Sequence, residues 1–251
     1  MMSRKRILVF AAKDVGARLV RHLVENFAED EYRFIVGEPG ADGIAQYLAS
    51  KGQNFSLYSD AAVEGLHAVP DAHFDWLLNL WGNHIFRLPL LAKVKRSLNI
   101  HPAYLPYGRG RDPVVWAIRR EHTAGASLHE IAPQIDAGAV WARKVTEYEL
   151  PCRGQDLYAR VIRDCGDLFE EAWPQLRDGI LIAVPQEGNW PTNRRKDLLQ
   201  DRVIDVDADA AAREVVLKLM AHDFADQYSA LVKLDGTFFK ATIRLEPTGE
   251  G

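Results

Sequence analysis

Arg6-Ile-Leu-Val-Phe-Ala-Ala12 is a short, unbroken apolar run of the kind buried on both faces of a parallel sheet, and apolar residues recur at helical spacing through residues 15–27 behind it. Together they read as an opening strand–helix unit. Residues 32–36 (YRFIV) repeat the strand signal, residues 40–51 read as a helix ended by Gly52, and residues 54–58 as a third strand. Two further apolar runs come next, at 74–81 (FDWLLNLW) and 97–101 (SLNIH). Strands alternating with helices in this way predict an α/β, Rossmann-like, mostly parallel sheet flanked by helices. In such sheets ligands sit beyond the carboxyl ends of the strands, so residues 84–88 and 99–111 lie where chemistry is expected.

The pattern changes from Pro151 onward. Residues 155–179 read as a helix, 180–185 as a β-like segment, the chain beyond Gly188 as polar loop, 208–220 as helix, and 228–245 as a hairpin turning at Asp235-Gly236. The expected organisation is a catalytic portion over residues 1–150 and a small C-terminal α+β appendage over 151–251. The hairpin's β-propensity offers an edge for a homodimer.

Composition narrows the class of protein. A chain of 251 residues, 47% hydrophobic and 26% charged, can bury a full core. Its net charge of −4 provides no positive field for nucleic acid. Cys152 and Cys165 are too few for a disulfide framework and lack the spacing of a zinc site, so no metal is expected and a reducing, cytoplasmic setting is. The basic N-terminus is followed by an apolar stretch of only residues 7–12, which fits a buried strand better than a signal peptide or a membrane span.

In Ser97-Leu-Asn-Ile-His-Pro102, Asn99 and His101 stand two apart at an apparent strand end, so their side chains share a face. Pro102 stops the strand, and Pro106, Gly108 and Gly110 keep the next segment as a loop. An isolated pair of this kind commonly does no more than satisfy nearby backbone. Its surroundings are more specific. The stretch from Asn99 through His101, Pro102, Leu105, Pro106 and Gly110, followed by Thr123-Ala-Gly-Ala-Ser-Leu-His129 and Gln134-Ile-Asp-Ala-Gly-Ala-Val140, resembles the folate-dependent formyltransferase family. Within it, Gly110-Arg-Asp-Pro-Val-Val-Trp-Ala117 looks most like the sugar N-formyltransferases, which act on nucleotide-linked amino sugars.

The resemblance implies 10-formyltetrahydrofolate as co-substrate, a small-molecule nucleotide sugar as partner, and Asn99, His101 and Asp136 as the catalytic centre. An amine attacking a formyl carbonyl leaves negative charge on its oxygen, and preorganised donors there lower the barrier by about 3 to 4 kcal/mol each. The Asn99 amide and the His101 imidazole are suitable donors. Asp136 could take the amine proton, directly or through water, or could act by orienting His101. The resemblance also carries over Ile85, Phe86, Arg87 and Leu88, with Ala137, as folate contacts. Gly138 is expected to let backbone approach the flat ligand. Tyr104, Arg109, Arg111 and Trp116 are the substrate candidates. A guanidinium fork suits a pyrophosphate, although the two arginines read equally well as solvated surface. Trp76 and Trp81 read as core.

Two neighbouring subgroups fit less well. Ala11-Ala-Lys-Asp-Val-Gly16 lacks the glycine- and serine-rich phosphate loop of the glycinamide ribonucleotide enzymes. The acidic balance argues against the tRNA substrate of the methionyl-tRNA enzymes.

Overall fold

The computed structural model describes residues 4–37, 43–82, 84–225 and 227–248. The opening apolar run forms β1 (Arg6–Ala11), and the helical stretch after it forms α1 (Lys13–Asn26). β2 (Glu31–Val36), α2 (Ile44–Ser50) and β3 (Phe55–Leu57) come next, with the expected start of α2 at Gly40 outside the described residues. A short α3 (Asp60–Glu64), capped by the Ser59 side chain, leads to β4 (Phe74–Leu80), α4 (Leu88–Leu91) and β5 (Val94–His101). Then come α5 (Pro113–Arg120), β6 (Ala124–His129), β7 (Val140–Thr146) and the long α6 (Gly154–Arg177).

The strands assemble in the order β3-β2-β1-β4-β5-β6-β7. Pairing from β3 through β5 is parallel, and β6 runs antiparallel to β5. The sheet is therefore mostly parallel. Both of its central strands are buried because both faces are covered: Ile7, Leu8, Val9, Leu77 and Leu78 are wholly inaccessible. Each such side chain contributes about 1.5 to 3 kcal/mol on burial.

The chain forms two compact units that interleave along the sequence. The first comprises Met1–His101, Ser127–Arg143 and Cys165–Gln186. One of its core clusters joins Leu8, Phe10, Ile35, Leu77, Phe86 and Leu90. Elsewhere in this unit Trp173 of α6 makes edge contacts with Trp76 and Phe27 and stacks on Phe169. The Arg177 guanidinium grips Asp30 through Nε and Nη2, both at 2.7 Å, with both side chains buried. Arg177 also donates to Glu29 at 2.8 Å and Asp178 at 3.1 Å, and Asp30 accepts from Lys5 N at 2.8 Å, so the pair is the centre of a small network.

The second unit comprises Pro102–Ala126, Lys144–Asp164 and Glu187–Gly251. It contains α7 (Arg195–Asp201), β8 (Val203–Asp205), α8 (Ala212–Ala221), β9 (Ala230–Leu234) and β10 (Thr237–Ala241). The hairpin turns where expected, with Asp235 and Gly236 both at positive φ (48° and 77°). β8 pairs parallel with β9, giving a sheet of order β10-β9-β8.

Two expectations are corrected. The polar stretch beyond Gly188 is not all loop, since α7 and β8 form within it. Their support is non-local: Asp201 accepts from Arg119 at 2.8 Å and lies 2.8 Å from His222 Nε2, while β8 needs β9 as partner. Residues 180–185 form no strand. Only Val184 bridges to Val140, and Pro185 has no N–H with which to extend that ladder.

Candidate active site

In the first unit, β5 delivers Asn99 and His101 at its carboxyl end. Parallel and antiparallel pairing set three residues abreast there, with Asn79 of β4 opposite Asn99 and His129 of β6 on its other side. Residues in such a row share a face of the sheet, so their side chains meet. The Asn79 Nδ2 donates to Asn99 Oδ1 at 2.7 Å, and Asn99 Nδ2 lies 2.9 Å from His129 Nε2. The other ring nitrogen of His129, Nδ1, sits 2.7 Å from the Glu130 carbonyl. A carbonyl only accepts, so Nδ1 carries the proton and Nε2 is the acceptor for Asn99.

Asp136 arrives from the turn after β6. Its backbone is left-handed (φ 52°), a conformation that aspartate tolerates better than most residues. Its carboxylate stands between two imidazoles, 3.6 Å from His101 Nδ1 and 3.5 Å from His129 Nε2. Both rings are buried, and they lie nearly perpendicular at 6.2 Å. The turn is pinned from behind. Gln186 Nε2 donates to the carbonyls of Asp136 (2.8 Å) and Gly138 (2.7 Å). The close approach at Gly138 is to the protein's own backbone, since a Cβ there would lie 1.9 Å from the Glu130 oxygen.

The structure thus brings Asn99, His101 and Asp136 into one cluster and adds His129 and Asn79. Sequence reasoning gave neither of those two a role. His129 closes the segment that begins at Thr123, but its contact with Asn99 depends on antiparallel register, which residue spacing does not reveal. A carboxylate, two imidazoles and an amide with one N–H still to offer can bind a carbonyl oxygen and move a proton beside it.

The segment expected to meet folate is divided. Ile85 and Leu88 are exposed (78% and 70%), whereas Phe86 is buried edge-on against Phe10. Arg87 precedes α4 as its N-cap, and Ala137 is half-buried within the turn that carries Asp136. Asn83 lies outside the described residues. His84 stacks on Phe10 and lies 3.0 Å from the Tyr58 hydroxyl, and burial lowers its pKa below the usual imidazole value.

The substrate candidates Tyr104, Arg109, Arg111 and Trp116 belong to the second unit. There the arginine loop is zipped to Asn193: Asn193 N donates to the Arg109 carbonyl and Arg111 N to the Asn193 carbonyl, each at 2.9 Å. Trp116 is buried, donates its indole N–H to the Arg111 carbonyl at 3.0 Å, and carries the Arg120 guanidinium 4.6 Å above its ring. Among the described residues there is no cluster of side chains suited to a metal ion, and no helix is long and apolar enough to cross a membrane.

The fold is that of the formyltransferases. A 4-N formyltransferase from Francisella tularensis superposes with a TM-score of 0.79 over 97% of this chain and 98% of its own, at 18% identity. An N-formyltransferase from Helicobacter canadensis, solved with folinic acid and dTDP-3-aminofucose, superposes at 0.72 over 94% and 86%, at 14% identity. No protein-family model matches the chain. In sequence, a dTDP-4-amino-4,6-dideoxyglucose formyltransferase from Mycobacterium tuberculosis is 30% identical over 133 residues, 53% of this chain and 56% of that protein. The chain thus spans about half the length of the curated relatives it matches. Over that half the chain is similar in sequence to a sugar N-formyltransferase, and over nearly its whole length it shares the fold of one.

Proposed function

We propose that this protein transfers a formyl group from 10-formyltetrahydrofolate to the primary amine of a nucleotide-linked amino sugar. The observation that carries the reading is the convergence of Asn99, His101, His129 and Asp136 at the carboxyl end of β5. The folate, when bound, supplies the formyl group. The remaining Asn99 N–H and the His101 ring are the donors for the formyl oxygen as charge builds on it. Asp136 receives the proton that the attacking amine must lose, directly or through water, and its carboxylate, 3.6 Å from His101 Nδ1, orients that ring. Exposed apolar Ile85 and Leu88 beside buried Phe86 suit the flat pterin, with Arg87 and Ala137 completing the folate contacts. Tyr104, Arg109, Arg111 and Trp116 are assigned to the nucleotide sugar.

The ligands named for the Helicobacter canadensis enzyme support this choice of co-substrate and amine. The test is mass spectrometry of the purified protein with 10-formyltetrahydrofolate and a panel of amines. We expect a gain of one CO on a nucleotide-linked amino sugar. A gain on an ornithine-type amine alone would remove the sugar assignment.

The assembly is proposed to be a homodimer built on the hairpin, whose edge strand β10 exposes Phe238 and Phe239 (55% and 51%). Light scattering should give the mass of two chains for the protein and of one for Phe238→Glu; a monomeric parent would end this proposal. Cys152 and Cys165 are buried and not joined in a disulfide, which supports a cytoplasmic setting; recovery in exported fractions would oppose it.

A further inference from the structure

The row Asn79–Asn99–His129 holds more than adjacency. Asn79 Nδ2 faces two acceptors, the Gly82 carbonyl at 3.3 Å and Asn99 Oδ1 at 2.7 Å. The Gly82 carbonyl cannot donate, so it fixes the Asn79 amide with its nitrogen toward Asn99. Asn99 must then present its oxygen to Asn79 and its nitrogen to His129. At the far end the Glu130 carbonyl, 2.7 Å from His129 Nδ1, imposes the same sense. The polarity of the whole chain of hydrogen bonds is thus set by two backbone carbonyls. Asn79 itself bears a cost, because its Oδ1 is buried without a partner. Gly82 leaves that oxygen its space, since a Cβ there would lie 2.6 Å from it.

We propose that Asn79 is a positioning residue of the site: it sets which way the Asn99 amide faces and thereby keeps Nε2 of His129 an acceptor in the Nδ1–H tautomer that the Glu130 carbonyl selects. Two titratable groups and one amide bear on the outcome. Asp136 stands 3.5 Å from His129 Nε2 as an alternative acceptor for an N–H there; His101 shares the same carboxylate; Asn99, held by Asn79, keeps Nε2 an acceptor. Without Asn79 the Asn99 amide is free to turn over, its oxygen facing a protonated Nε2 and its nitrogen lost to the formyl oxygen. The kinetic consequence rests on the formyl-transfer reading; the tautomer does not.

The test is Asn79→Ala, with Asn79→Leu as a near-isosteric second variant should the first fail to fold. Nitrogen NMR of the histidine side chains should show His129 with a protonated Nδ1 and an unprotonated Nε2 in the parent, and with Nε2 shifted toward the protonated form in the variant. An unchanged Nε2 signal overturns the proposal even if the parent has no formyltransferase activity. If the parent is active, kcat should fall about tenfold at nearly constant KM. The double variant Asn79→Ala/Asn99→Ala should then be no slower than Asn99→Ala alone, because Asn79 acts through Asn99. Losses that multiply would instead mark a general structural role and refute the assignment.

Discussion

Replacing Asn99 by alanine is expected to lower kcat about 10²- to 10³-fold while KM for either substrate stays within about threefold. The remaining N–H of this amide is the donor most firmly held in place. Its oxygen is engaged by Asn79 and its other N–H by His129, so no reorganisation is needed when charge develops on the formyl oxygen. Such a donor acts mainly in the transition state, which is why kcat and not KM should move. His101→Ala, which removes the second donor, and Asp136→Ala, which removes the acceptor of the amine proton, are each expected to cost about 10² or more. Steady-state release of tetrahydrofolate, with thermal unfolding as a control for folding, decides the matter. Parent-like turnover in Asn99→Ala would remove that residue from the mechanism.

Gly138→Ala should damage fold and site together. A Cβ at this position would lie 1.9 Å from the Glu130 oxygen and 2.7 Å from its carbonyl carbon, so one of two backbones must move. Neither is free to do so. Glu130 N donates to the Ala139 carbonyl at 2.8 Å, and Gln186 holds the Gly138 carbonyl. We expect a loss of about 3 kcal/mol or more in a urea titration. In the molecules that remain folded, the Glu130 carbonyl is pushed from His129 Nδ1 and the turn bearing Asp136 is displaced. Turnover per folded molecule should therefore fall at least about 10²-fold, as misplacement of catalytic groups commonly causes. A variant as stable and active as the parent would show that the turn relaxes without consequence.

Several features were legible in sequence because they are local. A run such as residues 6–12 can be buried only where both faces are covered, which made β1 a central strand. Asp235-Gly236 supplies two left-handed positions in succession, which fixed the hairpin turn. Asn99 and His101, two apart, had to share a face of whatever strand carried them.

Tertiary structure decided the rest. Asp201, in the stretch read as loop, is bonded to Arg119 and His222, distant in sequence, and α7 forms around it. Asp136 reaches both imidazoles because its backbone is left-handed and Gln186 pins its turn. The partners of Asn99 are set by strand register: a shift of one residue in β4 or β6 would carry Asn79 or His129 to the opposite face. Side-chain period within a strand is a property of the chain itself. Which residue stands beside which across a sheet is settled only when the strands pair, and at this site that pairing determines which hydrogen each amide has left to offer.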